Sequence, residues 1–371
     1  MKKSTWWVIA VIVVIVIILV AANKKSGENG PIKIGFIGPL TGDAANIGQN
    51  ARAAVEIAVK EVNDTGGING RNLEVIYEDG KCNGTAAAAA NKLIGVDKVP
   101  VILGGACSGE TSSFASFAEQ TKTTVLSYCS SAPALTNAGD YIFRDYPSDT
   151  FQGSFAAHYL IEKLGKKKVA VMYIKSDWGV GIKEVFKPEF MKLGGTIVAE
   201  EGYEQTTKDL RSQLTKIKSA NPDAVYFLGY TEASIPALKQ ARDIGLKTTW
   251  LGGDGWDDPR IWTETGLAGE GAMYTMVASE PSDTFKAAML AKVGNNEIAT
   301  CTPTAYDGLK ILTQVMKKVG TNSDSIKDEL YKTVYVDGVA SKEIKFDSNG
   351  DVFGAKYIVK IAKDGKAVEL K

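Results

Sequence analysis

Five short stretches combine residue types that could hold a small charged solute. In Gly104-Gly105-Ala106-Cys107-Ser108-Gly109-Glu110, Ser108 is placed to open a helix, where free backbone N–H groups favour an anion such as a carboxylate. Tyr128-Cys129-Ser130-Ser131-Ala132-Pro133 is a small-hydroxyl turn with exposed donors. The complement lies in Ser176-Asp177-Trp178-Gly179, Gly229-Tyr230-Thr231-Glu232 and Gly252-Gly253-Asp254-Gly255-Trp256, which supply aromatic rings and a carboxylate. A zwitterion needs this division: donors for its carboxylate, an acceptor charge and an aromatic face for its ammonium. Each stretch also has a plainer reading. Ser108 is an N-cap, Ser130-Ser131 and Asp254 are turn residues, and Trp178 and Tyr230 are packing. The pattern gains weight because each stretch follows an apolar strand-like run, and open parallel sheets bind ligands outside the carboxyl ends of their strands.

The elements that must position these residues alternate. Apolar runs at 32–37, 73–77, 99–103 and 123–128 predict strands, and 49–62, 85–94 and 111–120 predict helices. The rhythm restarts near Lys168, with strands predicted at 169–173, 196–200, 224–227 and 249–251 and helices at 181–193, 210–219 and 235–244. Such alternation predicts an α/β fold with parallel sheets covered on both faces. Helices in both halves close on paired glycines, Gly66-Gly67 and Gly194-Gly195, as expected of one plan used twice. Near Ser279 the chain returns to the first half, with helices predicted at 285–292 and 303–319. Asn349-Gly350 predicts a hairpin with a type I′ turn. The Asp347-Ser348-Asn349-Gly350-Asp351 spacing lacks the glycine that a calcium loop requires after its third ligand position.

Composition removes whole classes of function. The 371 residues carry 43 basic and 43 acidic side chains, so no basic face for nucleic acid is implied. His158 is the one histidine, which argues against His-rich metal sites and a Ser/His/Asp triad. No nucleophile elbow or phosphate loop is present, and no cofactor is expected. Lys2 and Lys3 precede an unbroken apolar run at 6–22, which reads as a signal peptide or a membrane anchor, followed by a polar linker to residue 30. No cysteine follows to carry a lipid. Export of the remaining chain is the simplest topology, with only residues 1–5 left in the cytoplasm.

The order of several segments resembles the leucine/isoleucine/valine-binding protein family, type I periplasmic solute-binding proteins of branched-chain amino acid ABC transporters. The carriers are Ile34-Gly35-Phe36-Ile37-Gly38-Pro39-Leu40-Thr41-Gly42, Asn63-Asp64-Thr65-Gly66-Gly67-Ile68-Asn69-Gly70, the Cys107-Ser108 turn, Ser130-Ser131-Ala132-Pro133-Ala134-Leu135-Thr136 and Gln240-Ala241-Arg242-Asp243-Ile244-Gly245-Leu246. The resemblance implies two Rossmann-like lobes joined by three crossings near Asp149, Ala278 and Ala355. One lobe would hold residues 31–149 and 279–355, the other 150–278 and 356–371, after an N-terminal segment of 1–30. It implies a small amino-acid ligand in the interlobe cleft, permease subunits as partners, and a location outside the cytoplasm. Ser108 and Ser131 match hydroxyls that hold the ligand carboxylate, with Ser130 in the same turn. Cys129 matches a backbone contact, Tyr230 a cleft aromatic and Asp254 the acid that binds the ammonium. Cys82 and Cys107 should bond, and Cys129 and Cys301 should lie near each other at the cleft, free or bonded. Three departures concern the side-chain pocket rather than the head group: Asp254 stands for the usual glutamate, Trp178 for a common tyrosine and Ile47 for another.

Competing readings remain open at this level. A hydrolase using Cys129 or Ser108 would need a base, and the lone histidine sits in a different predicted helix. A ligand-sensing ectodomain of the same fold would need a separate transducing partner. An amide or another small organic solute could replace the amino acid.

Overall fold

The computed structural model describes residues 30–294 and 298–370. The apolar run at 6–22 and nearly all of the linker lie outside the described residues. In chain order the first elements are β1 (Ile32–Gly38), α1 (Ala45–Asp64), β2 (Leu73–Asp79), α2 (Ala86–Asn91), β3 (Val101–Leu103), α3 (Ser108–Thr121), β4 (Thr124–Ser127) and β5 (Ile142–Arg144). There follow α4 (Asp149–His158), β6 (Lys168–Ile174), α5 (Asp177–Lys192), β7 (Thr196–Tyr203), α6 (Arg211–Ser219), β8 (Ala224–Leu228), α7 (Thr231–Asp243), β9 (Thr249–Gly252), α8 (Pro259–Thr265) and β10 (Met273–Val277). The chain ends with α9 (Asp283–Val293), α10 (Thr302–Val319), α11 (Ser323–Leu330), β11 (Val334–Val336), β12 (Glu343–Lys345), β13 (Tyr357–Lys363) and β14 (Lys366–Glu369).

The strands form two main sheets. The first has the order β2-β1-β3-β4-β5 and is parallel throughout. The second runs β7-β6-β8-β9-β10 in the same order, also parallel, and then adds β13 and β14 antiparallel on its far edge. The repeated order is the structural form of the repeated rhythm in the sequence, two Rossmann-like α/β units built on one plan. The central strands are buried on both faces: Ile34, Phe36, Val171, Val225 and Tyr226 are all fully inside. This is why they read as continuous apolar runs instead of alternating ones.

The chain passes between the sheets more than once. After β5, α4 packs on α5 beside the second sheet. After β10, α9 and α10 return to pack on α1 beside the first. β13 then pairs back onto β10, and β14 onto β13. β5, β10, β13 and β14 were not foreseen from the sequence; β5 and β14 are short edge strands, which carry little periodic signal.

Several helices start earlier than expected, α1 at Ala45 rather than residue 49 and α3 at Ser108 rather than residue 111. α5 begins at Asp177 rather than residue 181, with the Ser176 hydroxyl accepting from the Gly179 N–H at 3.2 Å. Glycines in that first turn look unhelical by propensity. Here they permit close approach: a Cβ on Gly179 would stand 2.3 Å from the Ile174 carbonyl oxygen. α7 begins at Thr231 rather than residue 235. In the tail hairpin only Gly350 of the Asn349-Gly350 pair has positive φ, +77°. The turn is therefore not type I′, which needs both central residues there; the Gly350 N–H instead bonds the Asp347 carbonyl and Asp347 Oδ1 accepts from the N–H groups of Asn349 and Asp351.

Candidate functional site

The donor half of the site is built where β3 and β4 end. Ser108 is the first residue of α3, and Cys107, not Ser108, stands at the N-cap. The Ser108 hydroxyl accepts from the backbone N–H groups of Ser131 and Ala132 at 3.2 and 3.0 Å. One hydroxyl thus locks the two donor turns together and keeps its own proton to donate. Ser130 does a different job. It is fully buried, and its hydroxyl lies 2.7 Å from Thr111 Oγ1 and reaches the carbonyls of Gly105 and Ala106 at 3.1 and 3.2 Å.

Beneath this platform lies Glu110, completely buried. Its Oε2 accepts from the N–H groups of Ala106 and Cys107 at 2.8 and 3.1 Å, and its Oε1 from the N–H of Cys82 at 2.9 Å. Burial pushes its carboxyl up to about 7, against the pull of those donors. The residue was missed in the sequence, although a glutamate three residues after an N-cap is a known signature of reciprocal capping. Cys82 and Cys107 form a disulfide across the same corner. Cys129 and Cys301 form a second, tying the β4 turn to the start of α10.

The acid half follows β6, β8 and β9. Asp254 opens a short helical turn after β9 and is 6% exposed. Its Oδ2 accepts from the Tyr146 hydroxyl at 2.7 Å, and that hydroxyl also lies 3.3 Å from Thr300 Oγ1. Burial pushes the Asp254 carboxyl up to about 6, partly offset by the Tyr146 bond. Trp178, in the first turn of α5, and Tyr230, at the N-cap of α7, stack with centroids 4.8 Å apart and planes 22° apart. The glycines flanking Asp254 admit these rings: a Cβ on Gly255 would be 2.8 Å from the Gly229 carbonyl oxygen and 3.0 Å from Trp178. Asp149 is wholly buried, and neither of its carboxylate oxygens has a hydrogen-bond partner among the described residues. Burial, with the nearby Asp254 charge, holds its carboxyl well above the usual range.

These residues converge. Ser108, Cys129, Ser131, Trp178, Tyr230 and Asp254 line one cavity of about 20 Å³, closed further by Ile47 and Thr300. Ser130 is not in its lining. The volume holds about one water, so the two halves are shut on each other. Thr300 and Tyr146 had no sequence signal, since neither follows a predicted strand at a recognisable turn. A larger cavity of about 1050 Å³ opens near β13, between Trp262, Met276, Ile298 and Phe353. It gathers neither the donor turns nor Asp254. Among the described residues no cluster of His, Cys, Asp and Glu could hold a metal, and no helix is long and apolar enough to cross a membrane.

Residues 31–366 match the sequence pattern of the periplasmic binding protein family. The chain belongs to that family. It is 29% identical over 348 residues to a leucine-, isoleucine-, valine-, threonine- and alanine-binding protein of Pseudomonas aeruginosa, with 92% of each chain covered. A solved leucine binding protein of Thermotoga maritima superposes with a TM-score of 0.83 at 28% identity, covering 92% of this chain and 98% of that one. A branched-chain amino acid transporter substrate-binding protein of Streptococcus pneumoniae, solved in complex with isoleucine, gives 0.81 at 28% identity and covers 92% and 100%. This periplasmic binding protein therefore shares its architecture, from β1 to β14, with those solute receptors.

Proposed function

We propose that this protein is the solute-binding component of an ABC transporter, capturing a small amino acid between its two lobes and delivering it to permease subunits. One observation carries the reading: paired donor turns and a buried carboxylate oppose each other across a single cavity, beneath a stacked Trp178–Tyr230 pair. Ser108, Ser131 and the Cys129 backbone receive the ligand carboxylate, and Asp254 receives the ammonium. The names of the three relatives refer to leucine, isoleucine or branched-chain amino acids, which supports the same chemistry. The lobes on this reading are residues 31–149 with 279–355 and residues 150–278 with 356–371. The protein acts outside the cytoplasm, where its family works, and the apolar run at 6–22 directs or tethers it there. Side-chain preference follows Trp178 and Ile47, which line the pocket with apolar surface, Trp178 larger and Ile47 smaller than the tyrosines they stand for.

A thermal-shift panel of amino acids, amides and small organic acids tests the proposal. A true ligand at a hundred times its Kd stabilises the fold by ~2.7 kcal/mol. The panel should respond to small aliphatic L-amino acids. A response confined to amides or to organic acids without an ammonium group would overturn the assignment of Asp254.

A further inference from the structure

α7 has an unusual N-terminus. Its N-cap is Tyr230, whose side chain lines the ligand cavity and makes no capping hydrogen bond. Tyrosine is a poor cap, because the first-turn N–H groups need a short side-chain oxygen close to the backbone. The missing acceptor comes from the other half of the molecule. Asp43, in the loop between β1 and α1, places Oδ1 2.9 Å from the Glu232 N–H, the second residue of α7. That is the amide an N-cap side chain ordinarily serves.

The loop carrying Asp43 is itself braced. Asp79, at the end of β2, accepts from the N–H groups of Leu40 and Thr41 at 2.9 and 3.3 Å and from the Thr41 hydroxyl. The Gln49 side chain donates to the Leu40 carbonyl at 3.0 Å. Asp43 is thus presented by a fixed loop of the first half to a helix of the second. Asp43 is not in the cavity lining, so it acts on a ligand only through Tyr230.

We propose that Asp43 is an N-cap supplied in trans: a positioning residue that caps α7 only when the halves close and so holds Tyr230 over the bound solute. Tyr230 is thereby free to serve the ligand, and the helix is completed at the moment of closure. The inference rests on the amino-acid-binding reading for its consequence, slower ligand release, but the cap itself is a property of the closed fold.

Two variants and two measurements test it. Release of L-isoleucine is followed by tryptophan fluorescence in stopped flow, and exchange of the Glu232 amide by NMR or mass spectrometry. Asp43→Ala should speed release about five- to tenfold, the usual worth of a cap, with association within about twofold. Glu232 exchange should quicken by a similar factor. Asp43→Asn, an equally good cap, should behave nearly as the unaltered protein. Wild-type release and Glu232 exchange in Asp43→Ala would overturn the proposal. Equal losses in both variants with a lowered ligand-free melting temperature would also do so, pointing to a brace within one lobe. If L-isoleucine does not bind the unaltered chain, the ligand reading fails separately. Both measurements are then made with the panel compound that does bind, and equal Glu232 exchange in the two ligand-saturated chains overturns the cap.

Discussion

At the scale of single residues, the proposed function rests most heavily on Asp254, the carboxylate assigned to the ligand ammonium. It is buried against Tyr146, and an incoming ammonium would supply the counter-charge it lacks. Asp254→Asn should weaken binding by ~3–5 kcal/mol, hundreds-fold or more, because the ammonium would lie buried without a charged partner. Calorimetry with the best ligand of the panel measures this, with circular dichroism to confirm that the fold is kept. The pH dependence has a definite sign. With its carboxyl pushed up to about 6, Asp254 is ionised above that value and protonated below it. Affinity should therefore be full at neutral pH and fall up to ~tenfold per unit as pH drops below 6. In Asp254→Asn this fall should vanish. Most of the residues named from sequence share one cavity because each directly follows a strand, a position that strand topology converts into proximity. Ser130 was equally visible, yet its hydroxyl turns inward to Gly105, Ala106 and Thr111. Which of two neighbouring serines faces the cleft depends on the fold of the turn, not on residue type.

At the scale of elements, the donor platform is held from behind. Arg144, at the end of β5, makes a two-pronged pair with Asp351 of the tail hairpin at 2.5 and 2.7 Å. Its remaining donors reach the Ala132 carbonyl and the Thr136 hydroxyl at 2.8 and 2.7 Å. The hairpin thus supports the turn that carries Ser131 and Ala132. Both side chains are mostly inside, Arg144 at 3% exposure. Removing one partner strands a buried charge. Asp351→Ala should cost ~3–5 kcal/mol in urea unfolding, whereas replacing both with Leu and Met should be far milder. The two disulfides reinforce the same platform, one at its α3 corner and one between Cys129 and α10. Long central elements were legible because their apolar patterns are strong. β13 was not, because its role depends on pairing with β10 across some eighty residues of intervening chain, and β14 joins the sheet only through β13.

At the scale of the whole molecule, two like-ordered sheets present the carboxyl ends of their strands to each other, and the site exists only where they meet. The cavity is too small to hold an amino acid as it stands, so on the proposed function the halves part to admit one. Small-angle scattering should register this as a smaller radius of gyration once saturating ligand is added. An unchanged radius would mean that the ligand binds without hinge motion. Closure is also where Asp43 and Glu232 meet, although residues 43 and 232 belong to opposite halves.

The sequence by itself determined the α/β class, its repetition and the turns that carry the chemistry, because apolar periodicity and residues after strands are local properties of the chain. Tertiary structure alone decided that Ser130 braces while Ser131 lines, that Glu110 anchors the platform, that Tyr146 and Thr300 back Asp254, and that Asp43 caps a helix in the other half. Each of these depends on where a side chain points after distant segments pack. Burial and distance set those outcomes, and neither is written in the spacing of residues along the chain.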